Sequence, residues 1–242
     1  MNAQPLLPIR EILARTVAFY HAHGRLVLIV TFPVVAFVDL VIGAGLGELT
    51  ASVHKKISVA DGYISLAADD FVTVPLVTAM LARAVVIDLR GERQATIREV
   101  VEQGLDLFVP ALVAVVMFVA GVLFGLILII PGIYLAVSWY FVVQAVAVDG
   151  RRGTAALSAS AAAVRGRWWH SAGVVLSLQL LAGIAGGLVT TLFESLATAA
   201  NSEAVVVAGE VLIDTVALPF VAIGATLYYL ELKARSPVPA QV

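Results

Sequence analysis

The sequence contains no cysteine, which excludes disulfides, thiolate-bound zinc and thiol catalysis. Charge is also scarce: 13% of the 242 residues are Asp, Glu, Lys or Arg, against about 25% in an ordinary soluble domain. A formal net charge of −2 provides no basic face for a phosphate backbone, so a nucleic-acid partner is excluded. The chain has no phosphate-cradling GxxxxGKS or GxxxxGKT, no HExxH and no GxSxG. Nucleophile, base and metal constellation are all missing, so the reading is non-enzymatic, with no metal and no cofactor; an intramembrane lipid-modifying enzyme ranks last.

Apolar residues are abundant instead. They make up 61% of the chain, and the mean hydropathy is +1.00. One water-soluble core cannot hide that much apolar surface, so the composition gives a polytopic membrane protein. A bilayer core about 30 Å thick needs roughly 20 apolar residues at 1.5 Å per residue. Six segments qualify: about 26–46, 71–89, two within 107–148, 171–193 and 211–230. Pro131-Gly132 is taken as the break that divides the long apolar stretch. Backbone groups in lipid must be paired within the segment, so these spans are helices.

Arg10, Arg15 and Arg25 precede the first span; Arg90, Arg93 and Arg98 follow the second. Arg151, Arg152, Arg165 and Arg167 lie between the fourth and fifth, and Lys233 and Arg235 follow the sixth. The opposite side holds only Lys55 and Lys56 among several acids. The excess of positive charge predicts a multi-pass protein of the inner (plasma) membrane with both termini cytoplasmic. The leader of about 24 residues is long for a signal-peptide n-region and has no clear small-x-small cleavage site, so the first apolar segment reads as a span.

Between the spans lie short amphipathic segments. Ile9, Ile12, Leu13, Thr16, Val17 and Tyr20 share one face, as do Ile97, Val100 and Val101, while 154–164 is largely alanine and serine. Such helices are expected in the headgroup plane, with arginines toward anionic lipid. Arg10, Arg15, Arg93, Arg98, Arg165 and Arg167, with Trp168 and Trp169, are the candidate headgroup contacts. His170, Tyr228 and Tyr229 read as further interfacial anchors.

Gly24, Gly104 and Gly166 are read as ending these helices. Gly91, Gly104, Gly121 and Gly125 recur 62 positions later as Gly153, Gly166, Gly183 and Gly187. Asp88 and Arg90, Asp149 and Arg151, and Glu231 and Lys233 each place an acid two residues before a base. The expected fold is therefore all-α: one membrane domain over 1–242, built as three helical hairpins, each preceded by an interfacial cytoplasmic helix. The units run over about 8–90, 91–151 and 153–235. Gly43–Gly47, Gly121–Gly125 and Gly183–Gly187 are each GxxxG, read first as packing within the chain and second as dimerisation.

The stretch Pro131-Gly132-Ile133-Tyr134-Leu135, with Trp139, Gln144-Ala145, Asp149-Gly150, Ala156-Leu157, Ser160 and 164–169, is similar to one group of bacterial and archaeal six-helix membrane proteins. That group includes the membrane domain found with some glycerophosphoryl diester phosphodiesterases. The ending 227–235 resembles the group's last helix, whereas Ala159 and Ala161 depart from its pattern. The 242 residues leave no stretch outside the spans for the catalytic domain, so the resemblance implies architecture and not hydrolysis.

Intramembrane charge is the remaining clue. A carboxylate near mid-bilayer costs roughly 2.5–3.5 kcal/mol on insertion scales, and Asp39 lies about 20 Å along the first span. Arg83, in the second span, is within snorkelling reach of the cytoplasmic end. The two are read either as a structural ion pair or as a solute or proton site. Asp214 reads as solvated, Gln144 and Gln179 as helix glue, and Asp149-Gly150 as a cap and turn. The function expected is a membrane module that binds anionic lipid, a protein partner or a second copy of itself. The alternative is a transporter or lipid translocator using Asp39 and Arg83.

Overall fold

The computed structural model describes residues 6–45, 69–91 and 95–235. Among these, every regular element is helical: α1 (Ile9–Gly45), α2 (Val74–Leu89, entered through a π-helical turn at Asp69–Thr73), α3 (Ile97–Leu126), α4 (Ile130–Trp139), α5 (Val142–Asp149), α6 (Thr154–Val164), α7 (Trp168–Ala200) and α8 (Glu203–Ala234). Six stretches are long and apolar enough to cross a membrane: Ile9–Val41, Phe71–Leu89, Ile97–Leu126, Ile130–Asp149, Trp168–Ala200 and Ala204–Ala234. Their outward faces carry Phe37, Phe124, Ile184 and Leu188, each more than 60% exposed, as a surface bathed in hydrocarbon would. The chain is a multi-pass helical membrane protein.

Helix α1 joins two helical stretches across a kink at His23 (φ −117°, ψ 17°), one residue before the Gly24 expected to end the first of them. Ile12, Thr16 and Phe19 are buried before the kink, and Val27, Val30, Val35 and Val38 after it. Gly104, by contrast, ends nothing. It lies inside α3, which starts at Thr96, whose side chain accepts a hydrogen bond from the Glu99 amide at 3.4 Å. A Cβ on Gly104 would stand 2.1 Å from Met80 Cγ, so this glycine lets α3 close on α2. Of the three glycines expected to end helices, Gly166 is the one in left-handed conformation, at φ +75°. Within the 62-residue register, Gly91 and Gly153 share positive φ, whereas helical Gly104 and left-handed Gly166 do not.

The break in the long apolar stretch comes earlier than Pro131. Helix α3 ends at Leu126, and Ile129 takes φ 56° before α4 begins. Pro131 sits in the first turn of α4, where its missing N–H has no helical acceptor to lose. Gly125 and Gly132 make the turn possible: a Cβ on Gly132 would lie 2.6 Å from the Leu126 nitrogen. A second interruption separates α4 from α5 around Tyr140 and Phe141, which the sequence pattern does not announce. Ser160 of α6 bridges it, donating to the Ser138 carbonyl at 2.8 Å and accepting from the Phe141 amide at 3.2 Å. That role buries Ser160 with Ala156, Leu157, Ala163 and Val164, so the bulky side of α6 faces protein.

Helices α7 and α8 run antiparallel, but not on the expected glycines. Close approach occurs at Gly224 against Leu178 and at Gly209 against Phe193, where an added Cβ would fall 2.5 and 2.6 Å from a side-chain atom. Gly183 and Gly187 have nothing within 4 Å of the Cβ position, which corrects the reading of that pair as packing within the chain. Gly121 and Gly125 do pack internally, against Trp139 and against Gly132 with Leu135. Gly43 lies within α1, and Gly47 lies outside the described residues.

Candidate functional site

Arg83 turns toward α3 and α5. Its Nε donates to Gln103 Oε1 at 2.6 Å and its Nη1 to the Ala147 carbonyl at 3.2 Å, while Gln103 Nε2 donates to Glu99 at 3.1 Å. Among the described residues it forms no ion pair with Asp39. The helix register explains this. His23 Nε2 stands 2.9 Å from Asp88 Oδ1, where α1 and α2 pass antiparallel. Sixteen residues along α1 from that contact, Asp39 comes level with position 72, about 16 Å along the axis from Arg83.

The three acids noted before a base each bond elsewhere than to that base. Asp88 meets His23; Asp149 accepts from Tyr229 Oη at 2.7 Å and from Lys233; Glu231 meets Arg235 at 2.5 Å and the Leu7 amide at 3.4 Å. All three therefore join distant parts of the chain. Gly150, at φ 66°, closes α5 directly after Asp149.

This network changes several expected roles. Arg167 donates to the carbonyls of Leu232 and Arg235 at 3.3 and 2.7 Å, satisfying the open end of α8 instead of a lipid headgroup. Tyr228 and Tyr229 are fully buried and are not interfacial anchors. Tyr228 Oη lies 2.9 Å from His170 Nδ1 and 3.0 Å from Ser171 Oγ. Trp168 donates from Nε1 to the Tyr134 carbonyl at 3.2 Å and stacks on its ring, while Trp169 stands 83% exposed. Arg10, Arg15, Arg98 and Arg165 are exposed, with Arg15 joined to Glu11 and Arg98 to Glu102 in one-turn pairs. Arg93 lies outside the described residues.

Two cavities lie where α7 and α8 meet the rest. A groove of about 620 Å3 runs between α1, α7 and α8, walled by Val17, Tyr20, Leu181, Val189, Val216 and Phe220, among others. Tyr20 spans its edge, donating to the Val216 carbonyl at 3.3 Å. A second cavity, of about 420 Å3, opens between α2, α3, α5, α7 and α8, with Gln179 exposed at it. Thr78, Tyr140, Gln144, Gln179 and Asp214 bring polar atoms to it. The amides expected to join helices and the aspartate expected to be solvated thus share one chamber. Ala182 and Ala217 line both spaces. Lone amides in apolar spans were the one sequence signal for the chamber; the groove had none. Among the described residues no His, Asp and Glu side chains gather as a metal site.

No protein-family model, no curated protein and no solved structure matches this chain.

Proposed function

We propose that this chain is a non-enzymatic membrane module that holds a lipid against the bundle, with an acyl chain in the groove between α1, α7 and α8. The groove itself carries this reading: about 620 Å3, walled almost wholly by aliphatic and aromatic side chains. A hydrocarbon chain fits such walls, and a polar solute does not. Exposed Arg10 and Arg165 supply positive charge for an anionic headgroup. The positive-residue asymmetry supports an inner-membrane location with both termini cytoplasmic, and the resemblance to the six-helix group supports a six-span architecture. A protein partner or a second copy would join the same module.

The test is native mass spectrometry of protein extracted with its surrounding lipid. Wild type should retain stoichiometric lipid, and Ala185→Phe, which fills the groove, should lose it. Equal retention by the two proteins defeats the reading. Replacing Arg10 and Arg165 by Gln should remove the preference for anionic species without removing lipid altogether.

The cavity between α2, α3, α5, α7 and α8 favours a second reading, transport of a small solute. It moves the candidate site from Asp39 and Arg83 to Gln144, Gln179 and Asp214, and flux lost in Gln179→Met at unchanged thermal stability would support it.

A further inference from the structure

We infer that the bend in α1 is a proton-sensitive hinge, fixed when the His23 ring carries a proton on both nitrogens and released on one side when it carries one. This goes beyond the lipid reading and does not depend on it. Nε2 of His23 faces Asp88 Oδ1 at 2.9 Å, and Nδ1 faces the Phe19 carbonyl at 3.3 Å. Carboxylate and carbonyl can only accept, and a neutral imidazole has one N–H to give. The two contacts are therefore hydrogen bonds together only in the imidazolium. The ring also stacks on Phe19, with centroids 4.4 Å apart, where a cation is favoured over the aromatic face.

Loss of one proton is felt within α1. A hydrogen bond to a carboxylate is roughly twice as strong as one to a neutral acceptor, so the remaining N–H goes to Asp88. Nδ1 then turns a lone pair toward the Phe19 carbonyl, at the residue whose backbone already leaves the helix. The arm before the bend is thereby loosened from the span beyond it. That arm carries Val17, Tyr20 and His21, so a change in its angle moves one wall of the groove. Protons have a way in: His23 and Asp88 line a cavity of about 510 Å3, and their side chains are 18% and 31% exposed. The other charged groups on that cavity are Arg15 of α1, which holds Glu11, and Glu231 of α8, which holds Arg235. Arg83 of α2 turns to Gln103, and α3 brings apolar Val100 into one cluster with Val30. Histidine is the side chain that changes charge between about pH 5 and 8, and His23 is the one histidine on this cavity among the described residues.

The test uses the whole chain in lipid nanodiscs at about pH 5.5 and about pH 8.5, on either side of that range. Nitrogen NMR of isotope-labelled histidine should show both His23 ring nitrogens protonated at the lower pH and one at the higher. Because the chain has no cysteine, spin labels can be attached at Ala14→Cys and Phe37→Cys alone, exposed positions on either side of the bend. The distance between the labels should be narrowly distributed at the lower pH and broader or shifted at the higher. His23→Gln should lose that pH dependence, and its thermal midpoint shows that it folds. Should it not fold, Asp88→Asn takes its place. Identical distance distributions for the unsubstituted His23 chain at the two pH values overturn the inference. So does a His23 ring nitrogen without a proton at the lower pH, or an unchanged pH dependence in the folded variant.

Discussion

His23, the residue at which α1 bends, stands 2.9 Å from Asp88 at the end of α2. Its other ring nitrogen lies 3.3 Å from the Phe19 carbonyl one turn back, and its ring stacks on Phe19 at 4.4 Å. Carbonyl and carboxylate both only accept, so a ring bearing a single N–H can donate to one of the two. The bend, one residue before the glycine that sequence reading favoured, thus sits between an acceptor on its own helix and one on α2.

Replacing His23 by Leu should lower stability by about 1 kcal/mol, and Asp88→Asn should cost a similar amount. A double-mutant cycle read by thermal or denaturant unfolding in detergent should give a coupling of roughly 0.5–1 kcal/mol. Additive effects would show that the contact does not hold the bend.

The same cycle separates two roles for Arg83. With Gln103→Leu, Arg83→Gln should couple by roughly 0.5–3 kcal/mol, because Nε donates directly to Gln103. With Asp39→Asn it should be additive within about 0.5 kcal/mol, as expected for sites about 16 Å apart. Strong coupling to Asp39 would contradict the register set by His23 and Asp88.

Two glycines that the sequence placed at equivalent positions should respond with opposite signs. Gly24→Ala meets no atom within 4 Å and should stabilise by about 0.5–1 kcal/mol by removing backbone freedom from the unfolded chain. Gly104→Ala drives a methyl into Met80, with the Met80 backbone at 3.3 Å, and should cost about 1–3 kcal/mol. Thermal midpoints of the two variants, measured side by side, decide it.

Ser160→Ala should cost about 1–3 kcal/mol, because the Ser138 carbonyl and the Phe141 amide would both lose their bridge inside the bundle. Ser195→Ala, at an exposed hydroxyl bonded only one turn back, serves as the control and should change stability by less than about 0.5 kcal/mol. Equal effects would remove Ser160 from the α4–α5 interruption.

Much of the fold could be read from apolar run lengths alone. The six runs could be counted because crossing a bilayer demands roughly 20 apolar residues whatever the neighbours are. The bounds of α6 and the left-handed cap at Gly150 follow from local turn chemistry in the same way. The candidate site was much less legible. Gln144, Gln179 and Asp214 were each visible as polar interruptions, but α5, α7 and α8 had to be assembled before they shared a wall.

What the sequence determined by itself is that the chain is helical and how many of its stretches are long and apolar enough to cross a membrane. The tertiary structure decided which glycines meet another helix, where Arg83 sends its donors, and that Tyr228 and Tyr229 are buried. The reason lies in the solvent. In water, a helix's polar face marks which side stays outside. In hydrocarbon the lipid-facing and protein-facing sides are both apolar, so the pattern shows a span without showing its partners. Gly187 and Gly209 are both glycines within long apolar helices; only packing puts Phe193 against Gly209 and leaves Gly187 open.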